Sequence, residues 1–231
     1  MAKETTLARL EARLADAQQL MAIHSTLTGD GRGRRYDVDA LNRSAVILAV
    51  AAWEAFVEDL AFRNAASLAR RFKKAEDLPE EIREPLLVSL LGSTDFKNPT
   101  PAAREAVWRL AGHGWRSEFR AFAENKAKSL NTPNSDNIRK LFKCTLAIED
   151  ITASWSYRRW GAEVYRTKLD ETLRLRHRIA HGTIGNETVG KTRAKDAIGL
   201  VSSLGHRSVA AVSNNFKRFD LQGRSAKLRP A

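Results

Sequence analysis

The chain has 231 residues, of which 43% are hydrophobic and 29% are charged, and these proportions are typical of a globular protein that needs no covalent cross-links to fold. Its single cysteine, Cys144, excludes an intramolecular disulfide and a cysteine-based metal cluster, and predicts a reducing, cytoplasmic location. Lysine and arginine exceed aspartate and glutamate by 39 to 27, and the resulting net charge of +12 attracts polyanions such as nucleic acids.

Hydrophobic periodicity predicts two long helices in the first third of the chain. The first covers residues 4–24, where apolar residues recur every three or four positions. The Gly-Asp-Gly-Arg-Gly-Arg-Arg segment at 29–35 lacks the strand and the Gly-Lys-Ser/Thr of a phosphate-binding loop, so we expect a flexible basic loop. The second helix, over 38–73, is apolar nearly all round in its first half, which predicts a central position. Its apolar run at 45–53 is too short to cross a bilayer, and the N-terminus lacks a signal peptide's apolar region, so we expect no membrane association.

Prolines and glycines punctuate the middle of the chain, which we expect to be irregular around a short apolar segment at 86–91. Further helices are predicted from about 101 to a glycine break at 112–114, over 115–130, over 137–148 with Ser135 or Asp136 as its cap, over 158–181 and over 193–218. Because no segment alternates with a period of two, the pattern predicts an all-α helical bundle. We assign residues 1–220 to one domain with an irregular middle insertion, and 221–231 to a basic, mobile tail.

The positive charge is concentrated at the C-terminal end of the chain. Residues 191–231 contain nine lysines and arginines against two aspartates. Such a surface can hold phosphates through counterion release. Lys191 and Arg193, at the start of this region, are therefore candidate substrate-binding residues.

Side chains suited to catalysis are concentrated in one segment, residues 173–182, with the sequence Leu-Arg-Leu-Arg-His-Arg-Ile-Ala-His-Gly. Histidine moves protons near neutral pH, and arginine supplies fixed positive charge where a phosphorane gathers negative charge. Because RNA carries its own nucleophile, the 2′-hydroxyl, one histidine and one arginine in a basic cleft can cleave it without a metal. Arg176 and His181 lie about 140° apart around a continuous helix. Either the helix ends at this segment, or two copies of the chain combine their segments.

Arg176, His177 and His181 resemble the signature of the HEPN superfamily, in which arginine, a polar residue and three further residues precede a histidine. The Ala-Ala-Trp-Glu-Ala-Phe-Val-Glu-Asp-Leu helix at 51–60 and the segment at 132–142 also resemble its RiboL-PSP-HEPN subgroup. The resemblance implies an all-α bundle that forms a homodimer and cleaves RNA without a cofactor, leaving a 2′,3′-cyclic phosphate and a 5′-hydroxyl. Active members are often toxins or antiviral effectors, which implies an antitoxin or another regulatory protein as a partner.

The same resemblance implies roles for individual residues. His181 is the general base or acid, Arg176 stabilises the phosphorane, and His177 positions the site or its substrate. Arg174 and Arg178, which flank these residues, join Lys191 and Arg193 as candidate substrate-binding residues. One departure is that Thr183 occupies a position where some toxin members carry a tyrosine, so any role of that tyrosine does not transfer to this chain.

Glu54 is a candidate supporting residue, because a carboxylate beside a motif arginine would fix its rotamer; the alternative is a solvated acid. Similarly, the aromatic and arginine side chains of the Trp-Ser-Tyr-Arg-Arg-Trp segment at 155–160 belong either to the core or to a base-stacking platform.

Other functions also fit the sequence. A zinc site at His177 and His181 is disfavoured, because Arg178 places a cation beside them and no third ligand is evident, so we expect no metal. Arg176 could instead be an ordinary surface residue and His181 a helix cap. In that case the chain is a non-catalytic HEPN-type RNA-binding or adaptor module, or a structural partner in a larger complex.

Overall fold

The computed structural model describes residues 5–29, 38–92, 98–185 and 188–227. Within these ranges the chain forms helices and no β-strand, so the all-α prediction is confirmed. The α-helices are α1 (Thr6–Thr28), α2 (Asp39–Ala69), α3 (Glu80–Leu91), α4 (Pro101–Leu110), α5 (Gly114–Lys128), α6 (Ser135–Leu146), α7 (Ala162–Ala180) and α8 (Lys191–Lys227). Short 3-10 helices cover Ala75–Asp77 and Ile151–Trp155.

The chain divides into two compact units. Unit 1 comprises the described residues of Met1–Val57, Thr132–Ser135 and Thr152–Val209. Unit 2 comprises those of Glu58–Asn131, Asp136–Ile151 and Ala210–Ala231. Hydrophobic patterning does not predict this division, and the domain boundary at residue 220 stays a prediction.

The core of unit 1 is built around the first half of α2. Trp53 is fully buried in it, stacked on Phe56 at 5.6 Å between ring centroids and edge-on to Trp155 at 6.0 Å. α1 and α8 approach closely at Gly205, where an added Cβ would lie 2.2 Å from the Leu10 side chain. The predicted central position of this half of α2 therefore holds within unit 1.

Unit 2 contains α3, α4 and α5, which pack against one another. The apolar segment predicted at 86–91 belongs to α3, so part of the middle section is helical and its connections are irregular. α2 ends at Ala69, four residues before the predicted end. The Arg116 side chain donates to three carbonyl oxygens in this region, those of Ala69, Phe72 and Lys73, at 3.2, 2.6 and 3.2 Å.

Other predicted boundaries were also wrong, and α1 ends at Thr28, four residues after its predicted end. α7 begins at Ala162 rather than 158, because Tyr157 and Trp160 pair through their backbones in a tight turn. α8 continues through Lys227, beyond the predicted end at 218, because no proline stops the helix before Pro230. Residues 221–227 of the predicted tail are therefore helical. The remainder of that tail and residues 30–35 of the predicted basic loop lie outside the described residues.

None of the helices in the described part of the chain combines the length and the apolar character that crossing a bilayer would require.

Candidate active site

The candidate site lies at the C-terminal end of α7, in unit 1. The helix closes with Gly182 at φ 66°, a left-handed conformation that glycine adopts without steric cost. The backbone N–H groups of Gly182 and Thr183 donate to the carbonyls of Ile179 and Arg178, at 3.3 and 3.0 Å, in a Schellman arrangement. α7 ends at Ala180, and His181 is its C-cap residue. The helix therefore ends at the motif, as the first geometric alternative expects, and the second alternative, two copies combining their segments, stays a prediction.

His177 and His181 lie side by side, one helical turn apart. Their ring centroids are 4.2 Å apart with the planes tilted by 47°, and both residues are exposed to solvent. A substrate can therefore reach both imidazoles.

Arg176 points toward α2 and forms an ion pair with Glu54. The distance from its Nη2 to Oε2 of Glu54 is 3.7 Å, and the two side chains are 36% and 29% exposed. At this distance the carboxylate attracts the guanidinium without a hydrogen bond. Arg176 thus keeps N–H groups with which it can meet a phosphate while Glu54 holds it from one side.

Two further sets of contacts tie the site together. The buried indole N–H of Trp53 donates to the carbonyl oxygen of Pro133 at 3.2 Å. The backbone N–H and the hydroxyl of Ser135 donate to Oδ1 and Oδ2 of Asp170, at 3.2 and 3.1 Å. With the ion pair to Glu54, these contacts join α2, the segment at 132–135 and α7, which are distant in sequence.

Asp170 is a structural residue that sequence reasoning missed. It lies seven residues before His177, on the same face of α7. Its carboxylate accepts the backbone N–H at the start of α6, where the helix dipole favours negative charge. The sequence predicts Ser135 as a possible cap, but it is the first residue of α6 and donates to Asp170 instead. In the sequence, the seven-residue spacing between Asp170 and His177 is the signal that places both residues on one face of α7.

The four candidate substrate-binding residues fall into two groups. Arg174 is exposed and Arg178 half-buried, and their positions in α7 place them on the face of the histidines. Lys191 and Arg193 lie in the first turn of α8, and Arg193 lines a cavity of about 520 Å³ between α7 and α8. The structure therefore does not collect these four residues at one place.

The single cysteine belongs to none of these groups. Cys144, in α6, is half-buried, and burial raises the pKa of its thiol above the ordinary value. A raised pKa keeps the thiol protonated and unreactive at neutral pH. In the described part of the chain, no group of three or more His, Cys, Asp or Glu side chains is arranged to hold a metal ion.

A comparison with family models places this geometry in context. The model of the RiboL-PSP-HEPN family matches residues 9–214, a span that begins in α1, ends in α8 and includes the whole motif. No curated protein and no solved structure matches the chain. HEPN domains are generally associated with RNA cleavage or RNA binding. Because the match covers most of its length, the chain belongs to the RiboL-PSP-HEPN family.

Proposed function

We propose that this protein is a metal-independent endoribonuclease. The observation that supports the proposal best is the end of α7, where two exposed histidines in contact follow directly on an arginine paired with Glu54. This segment carries groups for proton transfer and a fixed positive charge, and both are needed to cleave a phosphodiester.

The proposed reaction is attack by the substrate's own 2′-hydroxyl. A histidine base, His181, takes the proton from the 2′-oxygen, which bonds to the adjacent phosphorus. The bond from phosphorus to the 5′-oxygen breaks, and that oxygen takes up a proton. The products are a 2′,3′-cyclic phosphate and a 5′-hydroxyl. Arg176 stabilises the charge on the phosphorane, and His177 positions His181 or the substrate.

A homodimer would complete this reaction. One His181 can take the first proton, and His181 of a second copy can give the second, so that two motifs share one phosphate. As a toxin or antiviral effector, such an enzyme would need an antitoxin or a regulatory protein to hold it inactive in the cytoplasm.

The test is cleavage of total RNA and tRNA by the purified protein in EDTA. We expect cleavage by the wild type and a loss of at least about 100-fold in Arg176→Ala and His181→Ala. His206→Ala is the matched control, because His206 is an exposed histidine of unit 1 paired with Glu11 at 3.4 Å, outside the motif. Product ends are identified by their sensitivity to a phosphatase with and without acid opening of the cyclic phosphate. No cleavage by the wild type, or equal cleavage by all variants, would exclude the proposal.

A second candidate function is non-catalytic RNA binding, as an adaptor module. The net charge of +12 and the exposed aromatic rings at Tyr157 and Trp160 favour it, because neither depends on the histidines. It predicts binding that weakens steeply with salt and yields no products. The cleavage experiment separates the two functions.

A further inference from the structure

The turn that precedes α7 exposes two aromatic rings. Tyr157 and Trp160 are 44% and 46% exposed, whereas Trp155 of the same segment is fully buried. The N–H of each donates to the carbonyl of the other, both at 2.9 Å. Arg158, between them, has φ 52°, a conformation that costs free energy in a residue other than glycine. The chain therefore holds both rings at its surface on a defined backbone.

Cationic side chains flank both rings. The guanidinium groups of Arg207 and Arg158 lie over the ring of Tyr157, at 4.1 and 5.1 Å from its centroid, and an Arg207 N–H also donates to the carbonyl of Ser156 at 2.9 Å. The Arg159 guanidinium and the Lys168 ammonium lie over the ring of Trp160, at 5.3 and 5.7 Å from its centroid. Aromatic rings with cations over them can bind single-stranded nucleic acids, because bases stack on aromatic rings and on guanidinium planes and phosphates pair with the cations.

The cavity between α7 and α8 adjoins this turn. Its lining includes Tyr157, Lys168, Arg193 and Lys195, and the carboxylates of Glu171 and Asp196. Its volume of about 520 Å³ is in the usual range for a small-molecule site. The cations suit phosphate oxygens, and the carboxylates can accept hydrogen bonds from the exocyclic amino groups of bases. The cavity can therefore hold one nucleotide of a strand that stacks on the turn.

We propose that this surface, the Tyr157–Trp160 turn with the adjoining cavity, is a docking site for unpaired nucleotides of RNA. The proposal rests on the proposed function in naming RNA as the substrate. Bases inside a duplex present no open face to a protein ring, so the site selects single-stranded segments. A protein partner is disfavoured as the occupant, because a ring flanked by several cations suits a polyanion better than an apolar surface.

The turn precedes α7, whereas the candidate cleavage site lies at the C-terminal end of that helix; the cavity extends along α7 as far as Leu175, the neighbour of Arg176. Lys168 and Arg176 are eight residues apart, about 12 Å along the axis of α7. The α7 residues that line the cavity lie about 80–180° around the helix from His181, with Glu171 the nearest and Thr172 the farthest. The turn should therefore govern how tightly RNA is held, and leave the rate of the bound complex unchanged.

Binding of a fluorescent single-stranded RNA with 2′-O-methyl groups throughout tests the proposal, because this probe lacks the nucleophile and cannot be cleaved. We expect Tyr157→Ala and Trp160→Ala each to raise its Kd about tenfold or more. Trp160→Phe and Tyr157→Phe keep a stacking ring and should stay within about threefold of the wild type. Trp108→Ala is the matched control, because Trp108 is 80% exposed in α4 of unit 2 and should leave Kd unchanged.

A duplex of the same sequence separates stacking from general attraction. Its Kd should be insensitive to all of these substitutions. If Trp160→Ala binds the single strand like the wild type, or if single strand and duplex weaken equally, the docking site is excluded. With a cleavable strand, Trp160→Ala should raise KM at unchanged kcat, and His181→Ala should lower kcat. Because the methylated probe needs no catalysis, its binding can support the docking site even if the protein proves not to be a nuclease.

Discussion

The two units use an arginine in opposite ways. In unit 2, Arg116 donates to the carbonyls of Ala69, Phe72 and Lys73, at 2.6–3.2 Å, and so pairs polar groups at the end of α2 and in the segment that follows it. In unit 1, Arg176 has one ion-pair partner among the described residues, Glu54 at 3.7 Å, and it is 36% exposed. An arginine whose donors are occupied by carbonyls serves the fold. One that is held by a single carboxylate at 3.7 Å and is 36% exposed keeps N–H groups that face solvent.

Trp53→Ala should have the largest effect, because it tests whether unit 1 is tied together by its core. The change removes a fully buried indole and its hydrogen bond to the Pro133 carbonyl. We expect a loss of about 3–5 kcal/mol in the free energy of unfolding. Urea denaturation measures it, with Trp108→Ala of unit 2 as the exposed control, for which we expect about 0.5 kcal/mol or less. A loss below about 1 kcal/mol in Trp53→Ala would show that the segment at 132–135 is held by other contacts.

Arg116→Met should come next and sharpen the contrast between the arginines. Methionine keeps much of the stem but leaves the three carbonyls without their donor, so we expect a loss of about 1.5–3 kcal/mol. Cleavage per folded molecule should match the wild type. Arg176→Met should do the reverse, with little change in unfolding and a large loss of cleavage. If folded Arg116→Met also lost activity, the assignment of a structural role to Arg116 and a catalytic role to Arg176 would be wrong.

The sequence predicts the helices well where a local signal exists. The apolar stripes of α1 and α2 mark those helices, and Gly182 marks the end of α7 within one residue. The motif residues are also close together in the sequence, so the sequence names a candidate catalytic set, and the catalytic role of that set stays a prediction. The sequence leaves two roles open for Glu54, support of a motif arginine or a solvated acid, because its partner Arg176 lies on another helix.

The remaining features depend on information that local patterns lack. The turn at Tyr157 and Trp160 contains no glycine or proline, and the left-handed conformation of Arg158 is imposed by its surroundings. Asp170 pairs with a residue 35 positions earlier, and its seven-residue spacing from His177 indicates its face of α7 but not that partner. The division into two units follows from packing between distant segments, which periodicity along one helix does not encode.

Asp170→Asn should have an intermediate effect on unit 1. The amide keeps the shape of the carboxylate but loses the negative charge that is favourable at the start of α6. Its NH2 group is a donor, so only one of the two hydrogen bonds from Ser135 keeps an acceptor. We expect a loss of about 1 kcal/mol in thermal or urea unfolding. Asp136→Asn is the control. Asp136 is an exposed acid in the first turn of α6, next to Ser135, and it pairs with Arg139. Equal effects in the two variants would show that the contact to Ser135 contributes nothing beyond general charge at the helix start.

Glu54→Gln should have the smallest effect on stability and the most specific effect on activity. Both partners of the ion pair are about one-third exposed, so solvent screens the attraction and unfolding should change by about 0.5 kcal/mol or less. Because Glu54 acts on Arg176 rather than on RNA, its loss should lower kcat about 3–10-fold by loosening the guanidinium. KM should stay level or fall, since the carboxylate no longer competes with the phosphate for Arg176. Glu163→Gln, which removes the exposed partner of Arg166 on α7, should change neither constant. If Glu54→Gln cleaves as the wild type does, Glu54 is a solvated acid, and Arg176 is positioned by the packing of α7 alone.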